Sequence, residues 1–148
     1  MKRLGILLMC VATLALASCS ALSSAASSNA VAQTAGQSAG SAILTLYKIY
    51  KSTGTISLTD ANALTSALTL ATAYTQIKNN KDNTNYRKAF ANGLVLSSAG
   101  LITNSNSNAF INALLGASSL NNVSSTNTSN QNAAAATAIT GLVRTLDK

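Results

Sequence analysis

The sequence of 148 residues contains no histidine, glutamate, tryptophan or proline, and its only acidic side chains are Asp60, Asp82 and Asp147. General acid–base catalysis relies mainly on histidine and carboxylates, and zinc sites need clustered histidine, cysteine or carboxylate ligands. A catalytic triad is impossible without histidine, which leaves a serine–lysine pair as the remaining nucleophilic option, and no spacing in the chain suggests one. We therefore expect a protein that is not an enzyme and that holds no metal ion and no cofactor.

Charge and hydropathy at the start of the chain follow the pattern of a secretory signal. Two basic residues, Lys2 and Arg3, precede an apolar run from Leu4 to about Leu16. As a helix this run would be about 20 Å long, at ~1.5 Å per residue, and so shorter than the ~30 Å hydrocarbon core of a bilayer. We therefore predict a signal peptide over residues 1–18 rather than a membrane-spanning segment.

The apolar run ends in Leu16-Ala17-Ser18-Cys19, which resembles the lipobox of bacterial lipoproteins: an aliphatic residue, two small residues and a cysteine. The resemblance implies that the chain is cut before Cys19, that the thiol receives a diacylglyceryl group, and that the new amino group is acylated, with palmitate or a similar fatty acid. Two or more acyl chains hold a protein stably on a bilayer. An ordinary cleaved signal, or an uncleaved anchor extending through Leu22, is the alternative.

The residues that follow Cys19 indicate in which membrane of the envelope the protein is anchored. Ser20 is not the aspartate that retains enteric lipoproteins in the inner membrane, and no acidic run follows it. The resemblance therefore favours the outer membrane, on its periplasmic face. Cys10 would leave with the signal, so the mature chain keeps one sulfur, bonded to lipid, and forms neither a disulfide nor a cysteine metal site.

Composition divides the mature chain into two parts. Residues 19–34 are rich in alanine, serine, asparagine and glutamine and predict a flexible lipidated tether. Residues 35–148 are long enough for one domain, and their apolar residues recur three and four positions apart. We expect an all-α fold, a small antiparallel bundle of four to five helices.

The first predicted helix carries two signals. Ile43, Leu46 and Tyr50 lie on one face, and Gly54 provides a stop. Gly36 and Gly40 are four positions apart, a spacing that in membranes marks helix dimerisation. Because this segment is too polar to span a bilayer, we interpret the pair as a point of close helix–helix packing.

The second helix has the clearest start signal. Ser57-Leu58-Thr59-Asp60 fits a capping box, with Ser57 as the N-cap and Asp60 reaching back to it. The predicted apolar stripe consists of Leu64, Ala67, Leu68, Ala71 and Tyr74. Leu70 and Ile77 widen that stripe, so we expect this helix to be central and to end near Asn79-Asn80.

The remaining helices follow from shorter patterns. Asp82 or Thr84 is the expected cap of a third helix, and Gly93 permits close approach of a neighbour. The predicted inner face of this helix comprises Tyr86, Phe90, Leu94, Ser97 and Leu101. Ser107 is the expected cap of a fourth helix that holds Phe110, Ile111, Leu114 and Leu115. The composition of residues 117–132 predicts a polar loop from which Leu120 and Val123 return to the core. A last helix is predicted over residues 133–146.

Three segments resemble small helical lipoproteins of unknown function from Gram-negative anaerobes. They are Leu46-Tyr47-Lys48-Ile49-Tyr50-Lys51, then Gly54 with Ile56-Ser57-Leu58, and Phe90-Ala91-Asn92-Gly93-Leu94. The resemblance runs from about Ala35 to Thr103. It implies a helical fold and carries no catalytic residues.

Four basic residues surround the predicted end of the second helix and the start of the third: Lys78, Lys81, Arg87 and Lys88. In an up-and-down bundle this end is also the one at which the tether enters. A membrane anchored through Cys19 would then lie close to these cations, and each is worth about 1 kcal/mol near an anionic surface. We predict contact with anionic lipid or a cell-wall polymer; the alternative is a set of ordinary solvated charges. The basic residues are too sparse for a nucleic-acid face.

The expected function is that of an envelope lipoprotein with a non-catalytic binding or structural role. A second hypothesis is an accessory subunit that docks on a larger outer-membrane or periplasmic complex. Its exposed anchors would come from the aromatic residues Tyr47, Tyr50, Tyr74 and Phe110, since aromatic side chains dominate such contacts. The third hypothesis is an enzyme that uses a serine beside Lys78 or Lys81.

Overall fold

The computed structural model describes residues 28–125 and 132–147, and within these ranges the chain is an all-α bundle without strands. The α-helices are α1 (Ser28–Thr53), α2 (Ala61–Asn79), α3 (Thr84–Ser97), α4 (Ser107–Gly116) and α5 (Ala133–Leu146), with a 3₁₀ helix at Ser118–Asn122. The predicted fold class is confirmed. The lipobox and Cys19 lie outside the described residues.

Helix α1 begins earlier than the predicted domain boundary. Residues 28–34, which we assigned to the tether, form its first turns. Alanine-rich sequence favours helix, and packing of this segment offsets the cost of about 1 kcal/mol that each glycine carries in a helix interior. The helix ends as predicted at Gly54, whose φ of 75° suits a residue without a side chain and whose N–H donates to the Tyr50 carbonyl at 2.7 Å.

The start of α2 differs from the predicted capping box. Asp60 itself is the N-cap, and its Oδ1 accepts a hydrogen bond from the Ala63 N–H at 3.0 Å. The Asp60 N–H donates to the Ser57 carbonyl at 3.2 Å, so these residues form a turn before the helix. The Ser57 hydroxyl lies 2.7 Å from that of Thr59. Assigning Ser57 as the cap was therefore wrong by three positions, whereas the end at Asn79 is as predicted.

The start of α3 is also capped by an unexpected residue. Asn83 is the N-cap in place of Asp82 or Thr84, and its Oδ1 accepts from the Tyr86 N–H at 3.0 Å. The buried residues of this helix are Tyr86, Phe90, Gly93 and Leu94. Because α3 ends at Ser97, Leu101 lies beyond it, after a turn in which Ala99 and Gly100 have φ of 52° and 86°.

The central helix of the bundle is α1 rather than α2. Its most extensive contact is with α3, followed by its contact with α2, and it also touches α5. The buried residues of α2 are Ala63, Ser66, Ala67, Leu70, Ala73, Tyr74 and Ile77. Leu64, Leu68 and Ala71 of the predicted stripe are only half-buried, so α2 is rotated from the expected orientation. A helix that packs mainly against one neighbour needs only one buried face.

Three glycines bring α1 and α3 into backbone contact. A Cβ added at Gly36 would collide with the Phe90 carbonyl oxygen, and one added at Gly93 would collide with the Gln33 carbonyl oxygen. At Gly40 an added Cβ would lie 2.9 Å from the Leu94 carbonyl oxygen. We call this contact the glycine seam of Gly36, Gly40 and Gly93; the predicted close packing is confirmed.

The last part of the chain adds three short helices. Asn106 precedes α4 without a side-chain cap, and Ser107 is buried with its hydroxyl donating to the Asn104 carbonyl at 3.3 Å, so the predicted Ser107 cap is wrong. In the predicted polar loop, the 3₁₀ helix places Leu120 in the core while Val123 stays half-buried. Helix α5 has the predicted bounds. Buried apolar side chains here comprise Phe110, Ile111, Leu114, Leu120, Ile139, Leu142 and Val143.

Candidate functional site

The relative directions of the first three helices determine which charged side chains lie at the same end of the bundle. Gly36 faces Phe90 and Leu94, and Gly40 faces Leu94 and Ser97, so contact positions advance together and α1 and α3 run parallel. Helix α2 connects them and runs in the opposite direction. The start of α1, the end of α2 and the start of α3 therefore lie at one end of the bundle, which we call the entry end. The Tyr86 hydroxyl, 3.3 Å from Gln76 Oε1, joins α3 to α2 there.

All four basic residues singled out in the sequence lie at the entry end, but two of them are engaged in the fold. Arg87 is half-buried and donates to Asn112 Oδ1 of α4 at 2.9 Å and to the Lys81 carbonyl at 3.5 Å. The Lys78 ammonium lies 5.6 Å from the centre of the Tyr74 ring, a cation–π distance. Arg87 thus joins α3 to α4, a role that sequence periodicity does not indicate.

Lys81 and Lys88 are the cations available to a ligand at this end. Both are exposed, and neither side chain makes a hydrogen bond or ion pair with another residue of 28–125 or 132–147. Lys81 lies in the turn after α2, and Lys88 on the second turn of α3. The nearest carboxylate in sequence, Asp82, forms no ion pair with either of them.

Lys88 opens onto a polar groove between the first turns of α1 and α3. The groove has a volume of about 480 Å³ and is lined by Asn29, Ala30, Gln33, Asn85, Lys88, Ala89 and Asn92. We call it the amide groove. Of its residues the sequence analysis identified only Lys88, because asparagine and glutamine on separate helices give no motif until the helices are placed side by side.

At the opposite end of the bundle Lys51 and Arg144 contact other side chains, whereas Lys48 is exposed and has no partner among the described residues. Lys51 Nζ lies 3.0 Å from Asp147 Oδ1, the Tyr47 hydroxyl donates to the same oxygen at 3.3 Å, and Arg144 Nε donates to the Tyr50 hydroxyl at 3.4 Å. The hydrogen bond that Lys51 donates to Asp147, together with the negative charge of that carboxylate, raises the pKa of Lys51 above 10.5. These contacts join the end of α5 to the end of α1.

The aromatic anchors of the docking hypothesis are not exposed. Tyr74 and Phe110 are 2% and 3% exposed, respectively, and both belong to the core. Tyr47 and Tyr50 are half-buried and take part in the contacts with α5. Tyr74 and Phe110 were therefore wrongly predicted to be exposed anchors, and Tyr47 and Tyr50 expose only part of their side chains. Leu96, at 66% exposed, is the large apolar side chain that the described surface does present.

The carboxylates do not converge on a metal site within the described chain. No group of three or more histidine, cysteine, aspartate or glutamate side chains is found among residues 28–125 and 132–147. In the same residues no helix combines the length and apolar character needed to cross a bilayer. Comparisons with protein-family models, curated protein sequences and solved structures give no match to this chain.

Proposed function

We propose that this protein is a lipid-anchored, non-catalytic binding module of the bacterial envelope, held at the periplasmic face of the outer membrane through Cys19. The observation that supports the proposal most strongly is the position of the entry end. Residues 19–27 span at most about 30 Å at ~3.4 Å per residue. An anchor at Cys19 would therefore keep the start of α1 within that distance of the bilayer, and Lys81, Lys88 and the amide groove lie at the same end of the bundle.

The charge distribution favours a membrane-facing entry end. Four cations and the single carboxylate of Asp82 lie there, whereas Asp60 and Asp147 both lie at the opposite end as helix cap and ion-pair partner. Each exposed cation near an anionic bilayer contributes about 1 kcal/mol, and this attraction falls off within a Debye length of ~8 Å at physiological salt. Two unpaired lysines therefore add a weak orienting force to a lipid anchor that supplies most of the affinity.

Two of the three carboxylates that catalysis would need have structural partners. Asp60 caps α2, Asp147 pairs with Lys51, and the composition contains no histidine or glutamate. The threonine hydroxyls of α2 donate to the carbonyl four residues earlier, as Thr65 does to Ala61 at 2.9 Å. These hydroxyls are therefore engaged with the backbone of their own helix.

The anchor is tested by the mass of the protein made in its native envelope. We expect a chain that begins at Cys19 and carries fatty acyl groups, with incorporation of an alkyne-labelled fatty acid that Cys19→Ser abolishes. Cys10→Ser serves as the matched control and should leave labelling unchanged. An unmodified Cys19, or a chain that retains its first eighteen residues, would exclude the lipoprotein.

The basic end is tested with vesicles. The unlipidated Cys19→Ser protein should bind phosphatidylglycerol vesicles at low salt, and the pair Lys81→Gln and Lys88→Gln should weaken that binding by roughly tenfold or more, since each charge is worth about 1 kcal/mol. The pair Lys48→Gln and Lys51→Gln removes the same charge at the opposite end and should have little effect. Equal losses from both pairs would show that net charge, rather than the entry end, determines binding.

A further inference from the structure

The amide groove presents a set of hydrogen-bonding groups that the fold itself does not use. Its four carboxamides, from Asn29, Gln33, Asn85 and Asn92, are exposed, and none hydrogen-bonds to another residue of the described chain. The Lys88 ammonium beside them has no acidic partner there. Five polar side chains whose donors and acceptors have no partner within residues 28–125 and 132–147 therefore line one depression in the surface.

The glycine seam holds the two walls of this groove in a fixed relation. Asn29 and Gln33 are four apart on α1, while Asn85, Lys88 and Asn92 follow a spacing of three and four on α3, so each wall is one helical face. Gly93 packs against the backbone of Gln33 and Gln37 immediately beyond the groove. Because the helices meet at their backbones there, the two walls need not move when a ligand enters, and the remaining cost is the ordering of the exposed side chains.

The chemistry of the walls selects a class of ligand. Each carboxamide offers two donors and a carbonyl acceptor, which complements hydroxyl groups that themselves donate and accept. The methyl groups of Ala30 and Ala89 supply small apolar patches between the amides. The lysine adds one point charge for a carboxylate or a phosphate. A sugar ring that carries an acidic group combines all three features, whereas a simple anion uses only the lysine.

We propose that the amide groove is a binding site for an anionic saccharide, with hydroxyl groups held by Asn29, Gln33, Asn85 and Asn92 and an acidic group held by Lys88. The inference rests on the proposed function only for the source of the sugar, which is either a cell-wall glycan or the headgroup of an anionic lipid. The recognition itself depends on the groove alone.

The direct test uses the full chain in a non-ionic detergent, with tetragalacturonate as the probe and calorimetry or ligand-observed NMR as the readout. Neutral tetragalactose and inorganic phosphate are titrated in parallel. We expect tetragalacturonate to bind at least about tenfold more tightly than either one, because hydrogen bonds to charged groups and to hydroxyls each contribute. Equal binding of phosphate and tetragalacturonate would overturn the proposal, and so would the absence of tetragalacturonate binding.

Substitutions assign the binding to the groove. Asn29→Ala with Asn92→Ala should weaken tetragalacturonate binding by roughly 5- to 100-fold, from two lost hydrogen bonds of ~0.5–1.5 kcal/mol each. Lys88→Gln should remove the preference for the acidic over the neutral sugar. The matched control pair, Asn62→Ala and Asn108→Ala, removes exposed carboxamides on α2 and α4 that make no hydrogen bond to the described chain. Undiminished binding in the Asn29 and Asn92 double variant would exclude this groove.

A second measurement distinguishes the source of the sugar and separates this inference from the proposed function. Vesicles of phosphatidylinositol, whose headgroup is a polyol, are compared with vesicles of phosphatidylserine at equal charge. Stronger binding to phosphatidylinositol, lost in the Asn29 and Asn92 variant, assigns the site to a lipid headgroup; binding to tetragalacturonate alone assigns it to a glycan. An unmodified Cys19 in cells would remove the envelope anchor while leaving the tetragalacturonate result intact.

Discussion

Helices α1 to α3 and the segment from α4 to α5 belong to one hydrophobic core but are assembled differently. In the first region the glycines lie at a contact where an added Cβ would collide with a neighbouring backbone. In the second region, Gly116 and Gly141 have no atom within 4 Å of an added Cβ. The starts of α2 and α3 have side-chain caps, whereas α4 and α5 have none.

This difference separates two ways of stabilising small helices. The first region depends on shape, because two helices approach until their backbones touch and no larger side chain fits. The second depends on apolar side chains such as Phe110 and Ile139, which reach into a core shared with α2, and on the ion pair between Lys51 and Asp147. We expect the first region to be the less tolerant of added volume and the second the more easily opened.

The largest effect is expected from adding one carbon to the glycine seam. Gly36→Ala and Gly93→Ala each place a methyl group against a backbone carbonyl, which cannot rotate away. Each substitution should therefore lower the free energy of unfolding by ~3 kcal/mol or more, which is at or above the upper end of the cost of overpacking a core. Gly141→Ala is the control: with open space around it, alanine should be neutral or stabilising by up to about 1 kcal/mol. Urea denaturation measures the free energy of unfolding of all three variants. A Gly36→Ala protein as stable as the parent would contradict the proposed backbone contact at the glycine seam.

Hydrogen exchange provides a direct comparison of the two regions. Amides of α1 and α3 at the seam should exchange only through global unfolding, whereas amides of α5 should exchange through a partial opening of lower free energy. Peptide-resolved mass spectrometry measures both rates in the same sample. Equal protection of α3 and α5 across denaturant concentrations would mean that the two regions unfold together and that their different packing has no energetic consequence.

The caps of the first region predict a smaller effect. Asp60→Ala and Asn83→Ala each remove an acceptor for an N–H of the first turn, at 3.0 Å in both helices, and should cost about 1 kcal/mol. Asp60→Asn retains an equally good cap and should leave the free energy of unfolding nearly unchanged. A comparable loss in Asp60→Asn would assign the effect to charge instead of capping.

The smallest effect is expected at alkaline pH. Desolvation by burial raises the pKa of Tyr86 above 10.0, and Asp147 raises the pKa of Lys51 above 10.5. Both groups bind their proton more tightly when folded, so their stabilisation is complete below about pH 10 and is lost as the pH rises through the folded-state values. Tyr86→Phe should flatten part of this decline in stability measured from pH 8 to 11.5. A decline unchanged by Tyr86→Phe would exclude the tyrosine as a contributor.

How far the sequence predicts the candidate site differs between its residues. Lys88 was predicted because a cluster of basic residues near a helix junction can be recognised in the linear sequence. Asn29 and Gln33 were assigned to a tether and were not associated with Asn85 or Asn92, which lie more than fifty positions away. Arg87 was grouped with the free cations although its contact with Asn112 makes it part of the fold.

Helix propensity, stop signals and small-residue spacing act within a few turns of chain. They were therefore sufficient to predict the all-α class, the end of α2, the bounds of α5 and the close packing at Gly36 and Gly93. Other features became clear only from the folded chain: α1 is central, Asp60 and Asn83 are the caps, Tyr74 and Phe110 are core residues, and four carboxamides share a groove with Lys88. Those features depend on which helices become neighbours. That choice is made by the fit of surfaces far apart in the chain, on which local periodicity carries no information.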